Sequence, residues 1–158
     1  MSKPEKDFSL ETFLPYRLVR IAEQVSQEFS RNYREKYGLS RPEWRCLATL
    51  GQCEKLTAKE IGELSTMHKT KVSRAVAELE RRGWLTRRTD LEDRRAEHLS
   101  LTAAGRRAYA AMVPVAGDFE RALQADLGGK AVSELLEGLA ALEERYDLGG
   151  APGSGSAT

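Results

Sequence analysis

A mainly α-helical fold with one small β-hairpin is what this sequence predicts, and three observations carry the prediction. Apolar residues recur at spacings of three and four along most of the 158 residues, the period of a helix with one buried face. Two short runs rich in strand formers, Trp84-Leu85-Thr86-Arg87-Arg88 and Glu97-His98-Leu99-Ser100-Leu101, interrupt that period on either side of a polar turn, as a hairpin requires. The helical stretches break at Gly38, Gly51, Gly83 and Gly128-Gly129, and glycine commonly follows a last helical turn.

In chain order, Leu14, Leu18, Ile21, Val25, Phe29 and Tyr33 make the stripe of a first helix, opened by Pro15 in its first turn and ending near Tyr37-Gly38. A second helix follows Ser40-Arg41-Pro42, carries Trp44, Leu47, Ala48 and Leu50 inward, and stops at Gly51. Thr57-Ala58-Lys59-Glu60 has the spacing of a capping box, and Ile61 and Leu64 then give a third helix of about two turns. The fourth begins after Met67, which is expected to staple onto Val72. It runs from about Lys69 with Val72, Val76 and Leu79 as its buried stripe and ends where Gly83 can turn left-handed. Thr102 caps a long fifth helix bearing Tyr109, Met112, Val113, Ala116, Phe119, Leu123 and Leu127, with a kink expected at Pro114. Val132, Leu135, Leu136, Leu139, Leu142 and Tyr146 define a sixth.

Helix, turn, helix and hairpin together describe a winged helix-turn-helix over residues 38–102. Residues 14–37 and 103–148 carry apolar stripes with little else to bury them, so they are expected to form a helical dimerisation region. Residues 1–13 read as an N-terminal arm and 149–158, rich in glycine and serine, as a flexible tail. A two-fold symmetric dimer would set its fourth helices one DNA turn apart, roughly 34 Å, and match a palindromic operator.

Charge supports a nucleic-acid partner through its distribution, although the net charge is only +1. Between Thr66 and Arg95, Lys69, Lys71, Arg74, Arg81, Arg82, Arg87, Arg88, Arg94 and Arg95 outnumber Glu78, Glu80, Asp90, Glu92 and Asp93. From Ala116 to Asp147 acidic residues dominate, and that end should face away from phosphate. Lys69, Lys71, Ser73 and Arg74 form the face of the fourth helix opposite its apolar stripe. Cations beside a small hydroxyl suit a major groove, where guanine acceptors and phosphates are met. Arg81, Arg82, Arg87 and Arg88 divide between phosphate contacts and pairing with Glu78, Glu80 and Asp90.

Other functional classes find little support. No apolar run reaches the length of a bilayer span and the first residues lack the apolar middle of a signal peptide, so no membrane partner and a cytoplasmic location are expected. There is no Gly-x-Ser-x-Gly elbow and no phosphate-binding glycine loop, and no catalysis is expected. His68 and His98 belong to no compact ligand motif, so neither a metal nor a cofactor is expected. Cys46 and Cys53 raise a thiol redox sensor as an alternative, against the plainer reading of a small packed hydrophobe and a loop residue.

With these elements placed, the chain resembles the MarR family of bacterial winged-helix regulators over approximately Leu14 to Leu148. The resemblance rests on the Leu64 to Arg74 stretch, the Leu79-Glu80-Arg81-Arg82-Gly83-Trp84-Leu85 helix exit, the Asp93-Arg94-Arg95 wing signature and the run Leu99-Ser100-Leu101-Thr102-Ala103-Ala104-Gly105. It implies a homodimeric repressor on double-stranded DNA, with recognition helices in successive major grooves, wings in the flanking minor grooves and release by a small effector. Ser73 and Arg74 match recognition-helix positions, and Asp93-Arg94-Arg95 matches the wing. Arg94 is then the minor-groove candidate, because a guanidinium is always charged and weakly hydrated. Asp93, repelled by phosphate, is expected to brace the wing together with Arg95. His68, Lys69, Thr70 and Lys71 complete the expected DNA-binding set, with His68 departing from the Ser, Asp or Asn usual where such a helix begins.

The resemblance also implies an effector pocket between the dimer helices and the DNA-binding lobe. Its candidate lining is Tyr16, Arg17, Arg20, Trp44, Arg45 and Met112, a mixture suited to an aromatic or other hydrophobic acid or its acyl thioester. The alternative is a constitutive winged-helix module that binds DNA or protein with no effector.

Overall fold

The computed structural model describes residues 8–148. They form six helices and one hairpin: α1 (Leu14–Tyr37), α2 (Arg41–Gly51), α3 (Ala58–Ser65), α4 (Lys69–Arg81), β1 (Leu85–Thr89), β2 (Glu97–Leu101), α5 (Ala103–Leu127) and α6 (Gly129–Arg145). The chain divides into two compact units, one ending at Gly38 and the other beginning at Leu39. The tail expected over 149–158 and the first seven residues of the expected arm lie outside the described residues.

In the first unit, α1 opens at Pro15 and closes at Gly38, whose φ of +64° is the left-handed cap that ends the helix. Phe29 and Tyr33, one turn apart, meet edge to face with ring centroids 5.7 Å apart.

The second unit is organised around α2, which touches α3, α4, α5 and β2. Cys46, Leu47 and Leu50 of α2, Ile61 of α3, Val72, Val76 and Leu79 of α4, and Leu85, Leu99 and Leu101 of the hairpin are all buried. Each such side chain removed from water contributes about 1.5–3 kcal/mol, so this small core supports the turn between α3 and α4. In the hairpin, Leu85 faces Leu101 and Arg87 faces Leu99 across an antiparallel pair. Leu56 adds a bridge to the free edge: its N–H donates to the Leu99 carbonyl at 3.0 Å and its own carbonyl accepts from Leu99 at 2.7 Å.

Capping side chains set the helix starts. Thr57 accepts from the Glu60 N–H at 3.2 Å while the Glu60 carboxylate accepts from the Thr57 N–H at 2.7 Å. Ser40 and Glu43 make the same reciprocal pair at the start of α2. Thr102 accepts from the Gly105 N–H at 3.1 Å, and its hydroxyl donates to the Gly83 carbonyl at 2.6 Å. One threonine therefore joins the exit of α4 to the entry of α5.

Two glycines are there for close approach. A Cβ at Gly51 would lie 2.4 Å from the Tyr109 ring, and one at Gly105 would lie 2.1 Å from the Trp84 carbonyl oxygen. Gly51 thus admits α5 against α2, and α2 continues through it in helical conformation to a cap at Gln52. At Gly83, φ is +73° and the chain turns out of α4 towards β1. The fifth helix runs through Pro114 as one element.

Candidate nucleic-acid interface

The fourth helix exists because its apolar side has a core to join. Val72, Ala75, Val76 and Leu79 are buried, which turns Lys69, Thr70, Lys71, Ser73 and Arg74 outward as exposed side chains. Its N-cap is His68, exposed and without a side-chain capping bond. The preceding turn is made by Thr66 at φ 53°, a left-handed conformation costly for a β-branched residue. Met67 and Val72 line one groove between α3 and α4, of about 550 Å³, with Lys69 and Ser73 on its margin.

The cations of this lobe fall into two groups. Arg81 and Arg82 both bind Glu78, at 2.6 and 2.9 Å, and these hydrogen bonds hold the Glu78 carboxyl down at about 2. Arg82 also lies 3.9 Å from Glu43 of α2 and over the Trp84 ring. Arg87 binds Glu80 at 2.9 Å and Glu97 at 3.4 Å, and the bond to Glu80 raises its pKa. By contrast Lys69, Lys71, Arg74, Arg88, Arg94 and Arg95 make no ion pair among the described residues. Three arginines of the basic stretch are neutralised internally, whereas the cations on the outer face of α4 and in the wing are not paired among the described residues.

The wing is a polar turn organised by one carboxylate. Asp90 Oδ1 accepts from the Glu92 N–H at 2.8 Å, and Asp90 Oδ2 lies 2.9 Å from His98 Nε2 on the opposite strand. These bonds, the backbone one first, hold the Asp90 carboxyl at about 2, well below its ordinary value. The Asp90 N–H donates to the Ala96 carbonyl at 2.9 Å, closing the loop. Asp93 accepts from the Arg95 backbone N–H at 3.0 Å. Asp93 therefore braces the turn, while the part of Arg95 in that brace is its backbone; its side chain is exposed, like that of Arg94. Asp90 and His98 are the wing residues that sequence reasoning missed. An aspartate followed by Leu-Glu-Asp in a strand-to-strand turn is the signal that finds them, because such a side chain accepts from the backbone two residues on.

The residues expected to line an effector pocket occupy different settings. Tyr16 is half-buried and the Arg20 guanidinium stands 5.5 Å over its ring, while Arg17 is exposed. Trp44 is half-buried and Met112 is fully buried, with no surface to offer. Arg45 lines a recess with Arg41, His68 and Lys71 at the start of α4.

Burial pushes the Cys46 thiol up to about 12, with Glu43 adding to the effect, and burial followed by Glu60 raises that of Cys53. No three His, Cys, Asp or Glu side chains among the described residues group as metal ligands. No described helix is long and apolar enough to cross a membrane.

A family model described as the MarR family matches residues 39–96. No curated protein matches the sequence. Among solved structures the chain is similar to a MarR family transcriptional regulator from Silicibacter pomeroyi DSS-3, with 28% identity and a TM-score of 0.73 over 86% of this chain and 98% of that one. A MarR/EmrR family transcriptional regulator from Acinetobacter sp. ADP1 shares the fold at 22% identity and a TM-score of 0.77, covering 89% of this chain and 99% of its own. So does Bordetella bronchiseptica BpsR, whose DNA binding is regulated by 6-hydroxynicotinic acid, at 18% identity and a TM-score of 0.74 over 86% and 96% of the two chains.

Proposed function

Residues 39–96 match the model of the MarR family, and from that match we propose that this chain is a MarR-type regulator, a homodimeric repressor which binds a palindromic operator and is released by a small ligand. The observation that carries the reading is the outward face of α4. Lys69, Lys71 and Arg74 stand beside Ser73 and make no ion pair among the described residues, next to a wing whose Arg94 is exposed. In this reading α4 enters a major groove, with Arg74 directed at base edges and the lysines at phosphates. Arg94 enters the minor groove, where a narrow groove concentrates negative potential.

The dimer reading draws support from α6, which has no buried residue and exposes Leu135, Leu136 and Leu139. A helix that leaves an apolar side exposed is stabilised by a second copy. For the ligand we propose an aromatic or other hydrophobic acid or its acyl thioester. BpsR supports the idea of a small aromatic effector for this fold. Such a ligand acts by favouring a dimer geometry with misplaced recognition helices, and by no more than its differential affinity for the two forms.

The test is a DNA-binding titration over a range of salt, against the intergenic region beside the protein's own gene, with the native chain, Arg74→Ala and Arg94→Ala. Tight binding to a palindrome, steeply weakened by salt and by either substitution, is the expected result. Salt-sensitive binding with no sequence preference would instead favour a constitutive module. Addition of aromatic acids to the formed complex then tests release.

A further inference from the structure

We propose that Arg41 and Arg45 of α2, together with His68 and Lys71 of α4, form a seat for a backbone phosphate of the bound duplex, beside the base-reading face rather than on it. This rests on the DNA-binding reading above and extends it to a helix outside the recognition motif. The recess has a volume of about 220 Å³ and its lining includes these four residues and no carboxylate. Arg41 and Arg45 are four apart, so both side chains leave the same side of α2. The Lys71 ammonium, from the facing helix, meets the Arg45 guanidinium in the recess as a like charge. Neither Arg45 nor Lys71 makes an ion pair among the described residues, whereas Glu43 on the same helix is spent on the Ser40 N–H and on Arg82. An anion removes the repulsion.

Size and position select the kind of anion. Sites for free drug-sized ligands typically enclose about 300–1,000 Å³, and this recess is smaller; it suits a single phosphodiester group. It shares His68 and Lys71 with the exposed start of α4, so a strand running past the recognition helix passes over it. Paired arginines match phosphate oxygens with several donors at fixed geometry. Phosphate contacts position a protein on the duplex without reading sequence, and that separates this seat from Arg74.

The experiment measures affinity against salt for the full chain, Arg45→Gln, Arg41→Gln, Arg45→Lys and Arg81→Gln, on the operator and on a scrambled duplex of equal length. Melting curves establish that each variant is folded. Arg45→Gln is expected to weaken both duplexes by the same factor, leave the specificity ratio unchanged, and flatten the slope of log K against log salt by about 1 per subunit bound. Arg41→Gln is expected to do the same, Arg45→Lys to restore most of the slope, and Arg81→Gln, already neutralised by Glu78, to behave as native. Unchanged slopes for Arg45→Gln and Arg41→Gln, with the native chain still binding steeply, overturn the seat and leave the DNA reading standing. Losses confined to the operator overturn it too, because they signify base readout. A native chain that binds neither duplex overturns both.

Discussion

Each arginine of the basic stretch has one of two fates, decided by whether a carboxylate lies within reach on its own element or the next. Arg81 and Arg82 find Glu78 one turn back, and Arg87 finds Glu80 on α4 and Glu97 across the hairpin. Arg74 has no such neighbour among the described residues. Substituting Arg74 by alanine is therefore expected to cost about 1–3 kcal/mol of operator binding and to relax specificity at one base position. Arg81→Ala should change affinity far less, and a competition assay with single-base operator variants distinguishes the two. Gly105 offers a stability counterpart. Its alanine variant sets a methyl against the Trp84 backbone carbonyl, which cannot swing aside as a side chain would. A loss of about 1–3 kcal/mol or more is expected, read as a lowered midpoint in urea. For the thiols, Cys46 should resist alkylation at pH 8 in the folded protein and react once denaturant is added.

At the scale of elements, the wing and the recognition helix depend on different forces. The helix is held by apolar burial along Val72, Val76 and Leu79. The wing has no core of its own: its loop side chain Leu91 is 97% exposed, and its shape comes from hydrogen bonds to Asp90 and Asp93. Asp90→Asn keeps the volume but weakens these charge-assisted bonds. Its expected result is a lowered melting midpoint at neutral pH, a loss of order in the 90–96 amides by NMR, and weaker operator binding through a displaced Arg94. An unaltered wing spectrum would remove Asp90 from that role. The pH dependence follows from direction. The Asp90 and Glu78 carboxyls titrate lower in the folded chain than in the unfolded one, so they stabilise the fold above pH about 4, and that contribution is lost as pH falls towards 2. The wing amides are expected to hold their shifts down to about pH 3 for the same reason. The three capping boxes or caps at Ser40, Thr57 and Thr102 act at this scale too, because each satisfies N–H groups that the first turn of a helix leaves open.

For the whole molecule the unmet requirement is an apolar face. Leu135 and Leu136 are each about half exposed and α6 buries nothing, and a row of such residues is not a stable solvent surface. Replacing both by glutamate is expected to give a folded monomer by sedimentation, with operator affinity reduced about 100-fold or more as the two half-sites lose their linkage. A variant that still sediments as a dimer would place the subunit contact elsewhere.

The order and bounds of the helices, the hairpin, the outward face of α4 and the caps at Thr57 and Thr102 were legible in the residues alone. They follow from period and from short-range hydrogen bonding, and both are written into positions a few residues apart. Three things were decided only by the tertiary structure. Which arginines stay unpaired depends on carboxylates such as Glu97, brought beside Arg87 by strand pairing. The recess that Arg45 shares with His68 and Lys71 depends on how α2 meets α4. The pairing of Asp90 with His98 depends on the hairpin register. Each is a contact between elements distant along the chain, and no local period carries that information.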